Sequence, residues 1–215
     1  AFAHELKTPL TSIIGYADML NSVNLSEKEK REAYFYIYSQ GKRLESLSHK
    51  LLELVSMDRQ EMARKPVSTK ELEKNLHTVM RPVFAGKKIK GKILLEKSVI
   101  MGDYELLLSL LYNLLDNAVK AVEEGGFILL KGSCVPEGYE IKVVDNGRGI
   151  PQKEIHRITE AFYMVDKSRS RKEGGAGIGM ALCKKIITLH GGTLRIQSRL
   201  GEGTVIKVSF PGRLR

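Results

Sequence analysis

The sequence predicts an α-helical hairpin followed by an α/β domain with a mixed β-sheet. In the first quarter of the chain, apolar residues recur at alternating intervals of three and four, which is typical of packed helices. Further along, short β-branched segments alternate with helical patterns, and tight turns join neighbouring strands. We therefore divide the 215 residues into a hairpin, residues 1–65, and an α/β domain, residues 66–215.

The hairpin is predicted from two apolar series that the polar stretch NSVNLSEKEK separates. The first series is Ala3, Leu6, Leu10, Ile13, Ala17 and Leu20, and the second is Ala33, Ile37, Gln40, Leu44, Leu47, Leu51 and Leu54. A single hairpin buries little apolar surface. We therefore expect two copies to form a homodimer through a four-helix bundle.

The α/β domain is predicted from eight segments in chain order. They are a helix over 69–81, a strand over 89–97, a helix over 103–123, the strands FILLKGSCV and YEIKVV, a helix over 177–190, and the strands GTLRIQS and GTVIKVSF. The turns Pro-Glu-Gly and Gly-Glu-Gly join strands that are neighbours in sequence. This pattern predicts a mixed, largely antiparallel sheet with helices on one face and disfavours a doubly wound parallel fold.

The net charge of +10 first suggests a nucleic-acid partner. Residues 1–65 carry 10 basic and 9 acidic side chains, whereas residues 66–215 carry 25 and 16. The stretch KSRSRK, a polar segment without apolar periodicity, concentrates part of that excess. Such a loop suits a triphosphate as well as a duplex, and a solvated loop is the simplest interpretation. We therefore expect no nucleic-acid partner.

The stretch AFAHELKTPLTS sets three polar residues beside the apolar seam of the first helix. With Ala3 at heptad position a, His4, Glu5 and Thr8 take positions b, c and f, so we expect all three to face solvent. A histidine presented beside a carboxylate can act as a nucleophile. On spacing alone, an ordinary surface histidine remains the alternative.

HELKTPLT resembles the phosphoacceptor box of sensor histidine kinases. The resemblance implies that His4 receives the γ-phosphoryl group of ATP and that Glu5 acts as the base. It also implies that Thr8 positions the water that dephosphorylates a partner protein.

The predicted helix 103–123 carries Asn113, Asn117 and Lys120 on a polar stripe opposite its broad apolar face. Two carboxamides four residues apart can offer oxygen to Mg²⁺, and a lysine one turn further can meet phosphate. YNLLDNAVKA resembles the N box of the Bergerat-type ATPase fold, which histidine kinases share with gyrases and mismatch-repair ATPases. In those ATPases a glutamate that activates water stands where this chain has Asn113. The resemblance therefore implies Mg-ATP held for transfer to another group.

Three glycine-rich stretches follow, and each resembles a further nucleotide-binding box of this fold. In VVDNGRGI, Asp145 is an acceptor suited to the adenine amino group, and Gly147 and Gly149 allow a tight turn against the base. In GGAGIGMAL, glycines precede a helix whose amino terminus favours phosphate. They are Gly175, Gly177 and Gly179. Gly201, Gly203 and Thr204 match the last box, with Thr204 as a nucleotide contact, although a hairpin turn also explains the two glycines.

The stretch EAFYMVDKSRSRKEGG resembles the F box and the lid over the triphosphate. The resemblance places Tyr163 at the start of the lid. It makes Lys167, Arg169 and Arg171 the cations that neutralise the phosphates. Met164 stands where many family members carry an arginine, and which lid cation replaces it stays open.

Taken as an ordered set, these boxes resemble the catalytic core of a two-component sensor histidine kinase. The implied fold is a dimeric four-helix bundle followed by a Bergerat-type α/β sandwich that binds ATP and Mg²⁺. The implied function is autophosphorylation of His4, transfer to an aspartate of a response-regulator receiver domain, and phosphatase activity toward that regulator. An ATP-binding scaffold that acts mainly as a phosphatase is the alternative. A Bergerat-type serine kinase or ATPase is disfavoured by Asn113 and by the histidine box.

The chain starts inside its first helical pattern, so we expect it to be part of a longer protein. The resemblance implies a cytoplasmic portion of a larger sensor, with an upstream membrane anchor left open. Since no apolar run approaches the roughly 20 residues of a membrane span, we expect no membrane contact in this fragment.

Overall fold

The computed structural model describes residues 2–57, 64–166 and 177–212, except for the side chains of Phe2 and His4. Helices α1 (Phe2–Ser22) and α2 (Glu27–Ser56) pack together as the predicted hairpin. A capping box starts α2, because the Ser26 hydroxyl accepts the Glu29 N–H and the Glu29 carboxylate accepts the Ser26 N–H at 2.8 Å. No described helix combines the length and the apolar character that a membrane crossing requires.

The buried side chains of α1 include residues outside its predicted apolar series. Glu5 is only 6% exposed, and Pro9 is also buried, whereas Leu10 of the predicted seam is 48% exposed. The prediction that Glu5 faces solvent is wrong. Arg43 of α2 reaches this carboxylate and stabilises its burial, which heptad spacing within α1 could not reveal.

Within residues 64–166 and 177–212, the chain forms two sheets and three principal helices. In chain order its elements are β1 (Lys65–Ser68), α3 (Thr69–Gly86), β2 (Lys90–Leu95), β3 (Val99–Gly102), α4 (Tyr104–Ala121), β4 (Phe127–Val135), β5 (Gly138–Asp145), a 3₁₀ turn (Gln152–Glu154), α5 (Gly179–Leu189), β6 (Thr193–Arg199) and β7 (Gly203–Pro211). The main sheet has the order β2-β4-β5-β7-β6, in which β2 and β4 are parallel and the other pairs antiparallel. The predicted mixed sheet is therefore confirmed.

Some boundaries differ from the prediction. Helix α3 continues through Pro82 to Gly86, five residues beyond the predicted end, with Phe84 buried in its last turn. Strands β1 and β3 form a short antiparallel pair that the sequence did not predict. Each has four residues, too few to show an alternating pattern.

The core lies between the main sheet and the three helices. Helix α4 is central, because it contacts α3, α5, β4 and β5. Its buried apolar residues form the broad apolar face that the sequence predicted, and they are Leu107, Leu110, Leu111, Leu114, Leu115, Ala118 and Val119. The strand register then places Asp145 at the end of β5 opposite Thr204 at the start of β7.

The end of α2 packs into the α/β domain. Met57 belongs to the same buried cluster as the α4 leucines, and Leu54 packs against that cluster. The Ser109 hydroxyl of α4 donates a hydrogen bond to the Glu53 carboxylate at 2.6 Å. The hairpin and the α/β domain are therefore in direct contact along the last turns of α2.

Candidate active site

A cavity of about 370 Å³ opens where α4, the facing ends of β5 and β7, and the start of α5 meet. Eight of the residues singled out in the sequence line it, namely Asn117, Lys120, Asp145, Gly149, Tyr163, Gly177, Gly179 and Thr204. Residues almost 90 positions apart thus converge on one site. Lys167, Arg169, Arg171 and Gly175 lie outside the described residues.

Asp145 and Thr204 form the polar end of the cavity. Asp145 is 7% exposed, and its Oδ1 accepts the Gly147 N–H at 2.8 Å. Burial raises the pKa of the Asp145 carboxyl, although the N–H groups of Gly147 and Thr204 oppose that shift. The Thr204 hydroxyl is hydrogen-bonded to the Ser198 hydroxyl at 2.8 Å. A buried carboxylate beside apolar strand residues suits a flat ring that donates an amino group.

The two glycines of VVDNGRGI have different surroundings. A Cβ at Gly147 would lie 2.7 Å from the backbone of Ala121, so this glycine allows the turn to pack against the end of α4, and it does not line the cavity. Gly149 does line the cavity and has a φ of +68°. A Cβ there would lie 2.0 Å from the Arg199 carbonyl oxygen. Of the two, only Gly149 is placed to face a bound base.

Two amides of α4 face the start of α5. Asn113 is 4% exposed, and its Nδ2 donates to the Ser109 carbonyl at 2.8 Å, which leaves Oδ1 directed toward Gly179. The Asn117 Nδ2 is buried and lacks a hydrogen-bond partner in the described part of the chain. A Cβ at Gly179 would lie 3.3 Å from the Asn113 Oδ1 and 3.7 Å from the Asn117 Nδ2.

Gly179 therefore keeps open a space that both amides face. Amide oxygens are suitable Mg²⁺ ligands, and the buried Asn117 Nδ2 can donate to a phosphate oxygen. The N–H groups in the first turn of α5 can act as further donors for an anion. The residues present thus fit the phosphates of a nucleotide together with a divalent cation.

Lys120 lines the same region but already has a partner. Its Nζ lies 2.7 Å from the Asp116 carboxylate, one turn back on α4, and both side chains are about a quarter exposed. A phosphate contact by Lys120 would therefore compete with this ion pair.

The residues before and after the undescribed segment 167–176 are held together. The Phe162 N–H donates to the Gly177 carbonyl at 2.8 Å, and both residues have positive φ, +67° and +69°. The Tyr163 hydroxyl is hydrogen-bonded to the Glu154 carboxylate, and the Arg157 guanidinium lies 4.1 Å from the centre of the Tyr163 ring. Tyr163 is thereby positioned at the cavity wall.

The histidine box occupies the first turns of α1. The backbone of His4 is helical, while its side chain lies outside the described atoms. The Arg43 Nη2 lies 3.3 Å from the Glu5 Oε2, and both side chains are nearly buried. Thr8 is half-buried, and its carbonyl accepts the Ser12 hydroxyl at 3.1 Å.

Sequence reasoning missed several residues that line the cavity. Ser46 and Lys50 reach it from α2. Met164, which the sequence marks as a departure from the family pattern, is buried and lines it as well. Burial and the neighbouring Lys120 lower the pKa of the Lys50 ammonium. No local pattern in α2 signals this role, because it depends on how α2 packs against the α/β domain.

Two sequence families match the chain. Residues 1–60 match the His Kinase A (phospho-acceptor) domain, and residues 102–214 match the histidine kinase-, DNA gyrase B- and HSP90-like ATPases.

Similarity to individual proteins extends over nearly the whole chain. The sensor histidine kinase SpaK of Bacillus subtilis is 32% identical over 218 residues, which cover 99% of this chain and 47% of SpaK. The chain spans about half the length of the curated relatives it matches.

Solved structures support the fold. The Acinetobacter baumannii histidine kinase AdeS has a TM-score of 0.78 at 17% identity, with 98% of each chain covered. Histidine kinase ThkA in complex with the response regulator protein TrrA also has a TM-score of 0.78, at 21% identity over 97% of this chain and 59% of that one.

Proposed function

The chain belongs to the sensor histidine kinases, and from that premise we propose that it transfers the γ-phosphoryl group of ATP to His4 and then to an aspartate of a response-regulator receiver domain. Membership of the family supports ATP binding by the α/β domain. The two domains present are the phosphoacceptor and the ATPase domain, which are the parts that such a reaction requires.

One observation carries the proposal, namely the closeness of the cavity to the histidine box along α2. Ser46 lines the cavity, and Arg43, three residues earlier on the same helix, contacts Glu5 of the box. Three residues correspond to about 4.5 Å of helix rise. A nucleotide in the cavity would therefore lie beside α2 at a position about one turn from Arg43, the residue that contacts the histidine box.

The chain's residues take distinct parts in the proposed reaction. Glu5 accepts the Nδ1 proton of His4 while Nε2 forms a bond to the γ-phosphorus. The bond from that phosphorus to the bridging oxygen breaks, and ADP leaves with the electron pair. Asp145 holds the adenine amino group in this scheme, so the base end of the nucleotide stays fixed during transfer.

The amides of α4 act at the phosphate end. Asn113 and Asn117 are the residues that would hold Mg²⁺, and when bound this ion neutralises charge that develops on the phosphate oxygens. An amide at position 113 has no basicity with which to activate water. The site therefore favours transfer to a side chain over hydrolysis of ATP.

A receiver domain and a second copy of this chain are the proposed partners. The likeness to ThkA, whose structure contains the response regulator TrrA, supports a receiver partner. Leu10, Ile14 and Phe35 are exposed by 48%, 59% and 67% on the hairpin. Covering such residues would favour pairing of two hairpins into a four-helix bundle.

A scaffold that acts mainly as a phosphatase is the second candidate. It is favoured by Met164, which places a buried thioether on the cavity wall where the resemblance leads one to expect an arginine. In that case Thr8 would position water for attack on the phosphorylated receiver. Measuring phosphoryl transfer and dephosphorylation rates on one receiver domain separates the two candidates.

The first test is incubation with γ-labelled ATP and Mg²⁺, comparing the parent with His4→Ala. A matched control is His49→Ala, which removes an exposed histidine from the same hairpin. We expect acid-labile, alkali-stable label in the parent and the control and none in His4→Ala. Label that persists in His4→Ala would contradict the assignment of the acceptor.

A second test concerns the nucleotide. Asn117→Ala is expected to weaken Mg-ATP binding while the dimer stays intact. Calorimetric titration and light scattering measure the two properties separately. Unchanged affinity in this variant would contradict the placement of the phosphates beside α4.

A further inference from the structure

We propose that Lys50 of the hairpin is a phosphate-binding residue of the nucleotide site, so that α2 completes a site otherwise built by the α/β domain. This inference rests on the proposed function, which makes the cavity an ATP site. The ligand class is a nucleoside polyphosphate, recognised through the charge of its phosphates.

The first support is position. Ser46, Lys50 and Glu53 follow one another at intervals of four and three residues, so they share one face of α2. Ser46 and Lys50 line the cavity together with the Asn117 and Gly179 that face the proposed phosphate space. Helix α2 packs against α5, whose amino terminus forms the other side of that space.

The second support is that contacts made by the residues after Lys50 fix its position. Glu53, less than one turn further along α2, accepts a 2.6 Å hydrogen bond from the Ser109 hydroxyl of α4. Met57 and Leu54 anchor the end of the helix in the core of the α/β domain. The placement of Lys50 is thus determined by contacts on both sides of the helix end.

The third support is electrostatic. Lys50 is half-buried and makes no hydrogen bond or ion pair within residues 2–57, 64–166 and 177–212. The groups that act on it are Lys120, Asp116, Cys183 and Glu53. The neighbouring cation Lys120 is already paired with Asp116. Burial and Lys120 both lower the pKa of the Lys50 ammonium, because both destabilise its charged form. A polyanion beside Lys50 would stabilise that charged form.

The inference also accounts for Met164. This thioether lines the cavity where the resemblance leads one to expect a cation. Lys50 lines the same cavity from a different element and can supply the missing positive charge. Binding of the phosphates would then depend on the packing of α2 against the α/β domain, which couples the position of the hairpin to nucleotide affinity.

The experiment titrates the two-domain chain with ATP, ADP and adenosine in the presence of Mg²⁺. Lys50→Met removes the charge and keeps the apolar stem, and Lys50→Arg restores a cation. Lys42→Met is the matched control, because Lys42 lies on the same helix, is 58% exposed and pairs with Glu45.

We expect Lys50→Met to weaken ATP binding about tenfold, ADP binding less, and adenosine binding not at all. Lys50→Arg and Lys42→Met should bind ATP like the parent. Unchanged adenosine affinity shows that Lys50→Met is folded with an intact base site. Equal ATP affinity in Lys50→Met and the parent would overturn the inference, and so would an equal loss for all three ligands.

A double-mutant comparison tests the coupling. Ser109→Ala removes the hydrogen bond to Glu53 and leaves the charged groups around Lys50 in place, so Lys50→Met should cost less affinity in that background than in the parent. If the two losses of ATP affinity were additive, the claim that the contact between Glu53 and Ser109 positions Lys50 at the cavity would be overturned. Failure of this inference differs from failure of the proposed function. In the former case Asn117→Ala loses ATP and Lys50→Met does not, whereas in the latter the parent itself does not bind Mg-ATP.

Discussion

Arg43 of α2 and Glu5 of α1 form an ion pair across the hairpin, with 3.3 Å between Nη2 and Oε2 and with both side chains nearly buried. The carboxylate next to His4 is thus positioned by the opposite helix of the hairpin. A buried carboxylate needs such a partner, because an unpaired charge in the interior is costly. Arg43 is therefore a positioning residue for the proposed base.

Removing the Arg43 cation should impair phosphorylation more than nucleotide binding. In Arg43→Met we expect autophosphorylation to slow about tenfold or more, because Glu5 loses the group that holds it, while the affinity for Mg-ATP stays within about twofold of the parent. We also expect the hairpin to lose stability, because an ion pair between two nearly buried side chains is broken. Initial rates of labelling, ATP titration and urea unfolding measure the three quantities.

Arg31→Met is the control for this prediction, because Arg31 is exposed on the same helix. It should behave like the parent in all three measurements. An Arg43→Met protein that phosphorylates at the parental rate would show that Glu5 does not depend on Arg43.

Filling the space at the start of α5 should block the phosphates. In Gly179→Ala the new methyl group would lie 3.3 Å from the Asn113 Oδ1 and within 4 Å of the side-chain nitrogen and oxygen of Asn117. We expect Mg-ATP affinity to fall about tenfold and thermal stability to stay at the parental level, since alanine is compatible with a helix. Gly86→Ala, with nothing within 4 Å of its Cβ position, is the matched control. Parental affinity in Gly179→Ala would place the phosphates elsewhere.

Adenine recognition should weaken in acid. Burial raises the pKa of Asp145 above the ordinary 3.8, and only the ionised carboxylate is a pure acceptor for the adenine amino group. Adenosine affinity is therefore expected to decline as the pH falls, and to do so at a higher pH than the titration of an ordinary aspartate would produce. Titration at several pH values measures the decline.

Two variants support the interpretation of that profile. Asp145→Asn should bind adenosine weakly at every pH, with a flat profile. Asp18→Asn, which alters an aspartate on α1, should keep the parental profile. If the adenosine affinity of Asp145→Asn still changed with pH, another group would be responsible for the effect.

The stability of the α/β domain should also depend on pH, through His190. This histidine is 2% exposed, its Nδ1 donates to the Ile186 carbonyl at 2.8 Å, and its Nε2 accepts the Asp103 N–H at 3.1 Å, so the ring is held neutral. Burial, with Arg64 nearby, lowers its pKa from 6.5, while the Ile186 carbonyl and Asp103 act in the opposite direction.

The unfolded chain takes up a proton at this histidine near pH 6.5, whereas the folded chain does so only at lower pH. The contribution to stability is therefore complete above about pH 6.5 and is lost as the pH falls toward the folded pKa, by up to about 1.4 kcal/mol per pH unit. Unfolding in urea at pH 7.5, 6.5 and 5.5 measures this loss. His190→Gln should be less stable and should lack this slope, whereas the exposed His156→Gln should retain it.

Local patterns predicted the three helices and the five main-sheet strands of the α/β domain, together with eight of the residues that line the cavity. The period of the apolar residues predicted α4 and its broad buried face, and the turns predicted the antiparallel strand pairs. Asp145 and Thr204, each singled out from a local motif, turned out to face one another across β5 and β7. These features depend on short stretches of chain, so that spacing alone specifies them.

Packing between distant elements decided the rest. The burial of Glu5 depends on Arg43, 38 residues away, and the place of Lys50 on the cavity wall depends on the contact between Glu53 and Ser109, 56 residues apart. The sequence by itself determined which side chains carry acid, amide and glycine chemistry, because those choices are local. Only the tertiary structure decided which of them meet and which charge is buried, because pairing and desolvation depend on what the folded chain brings into contact.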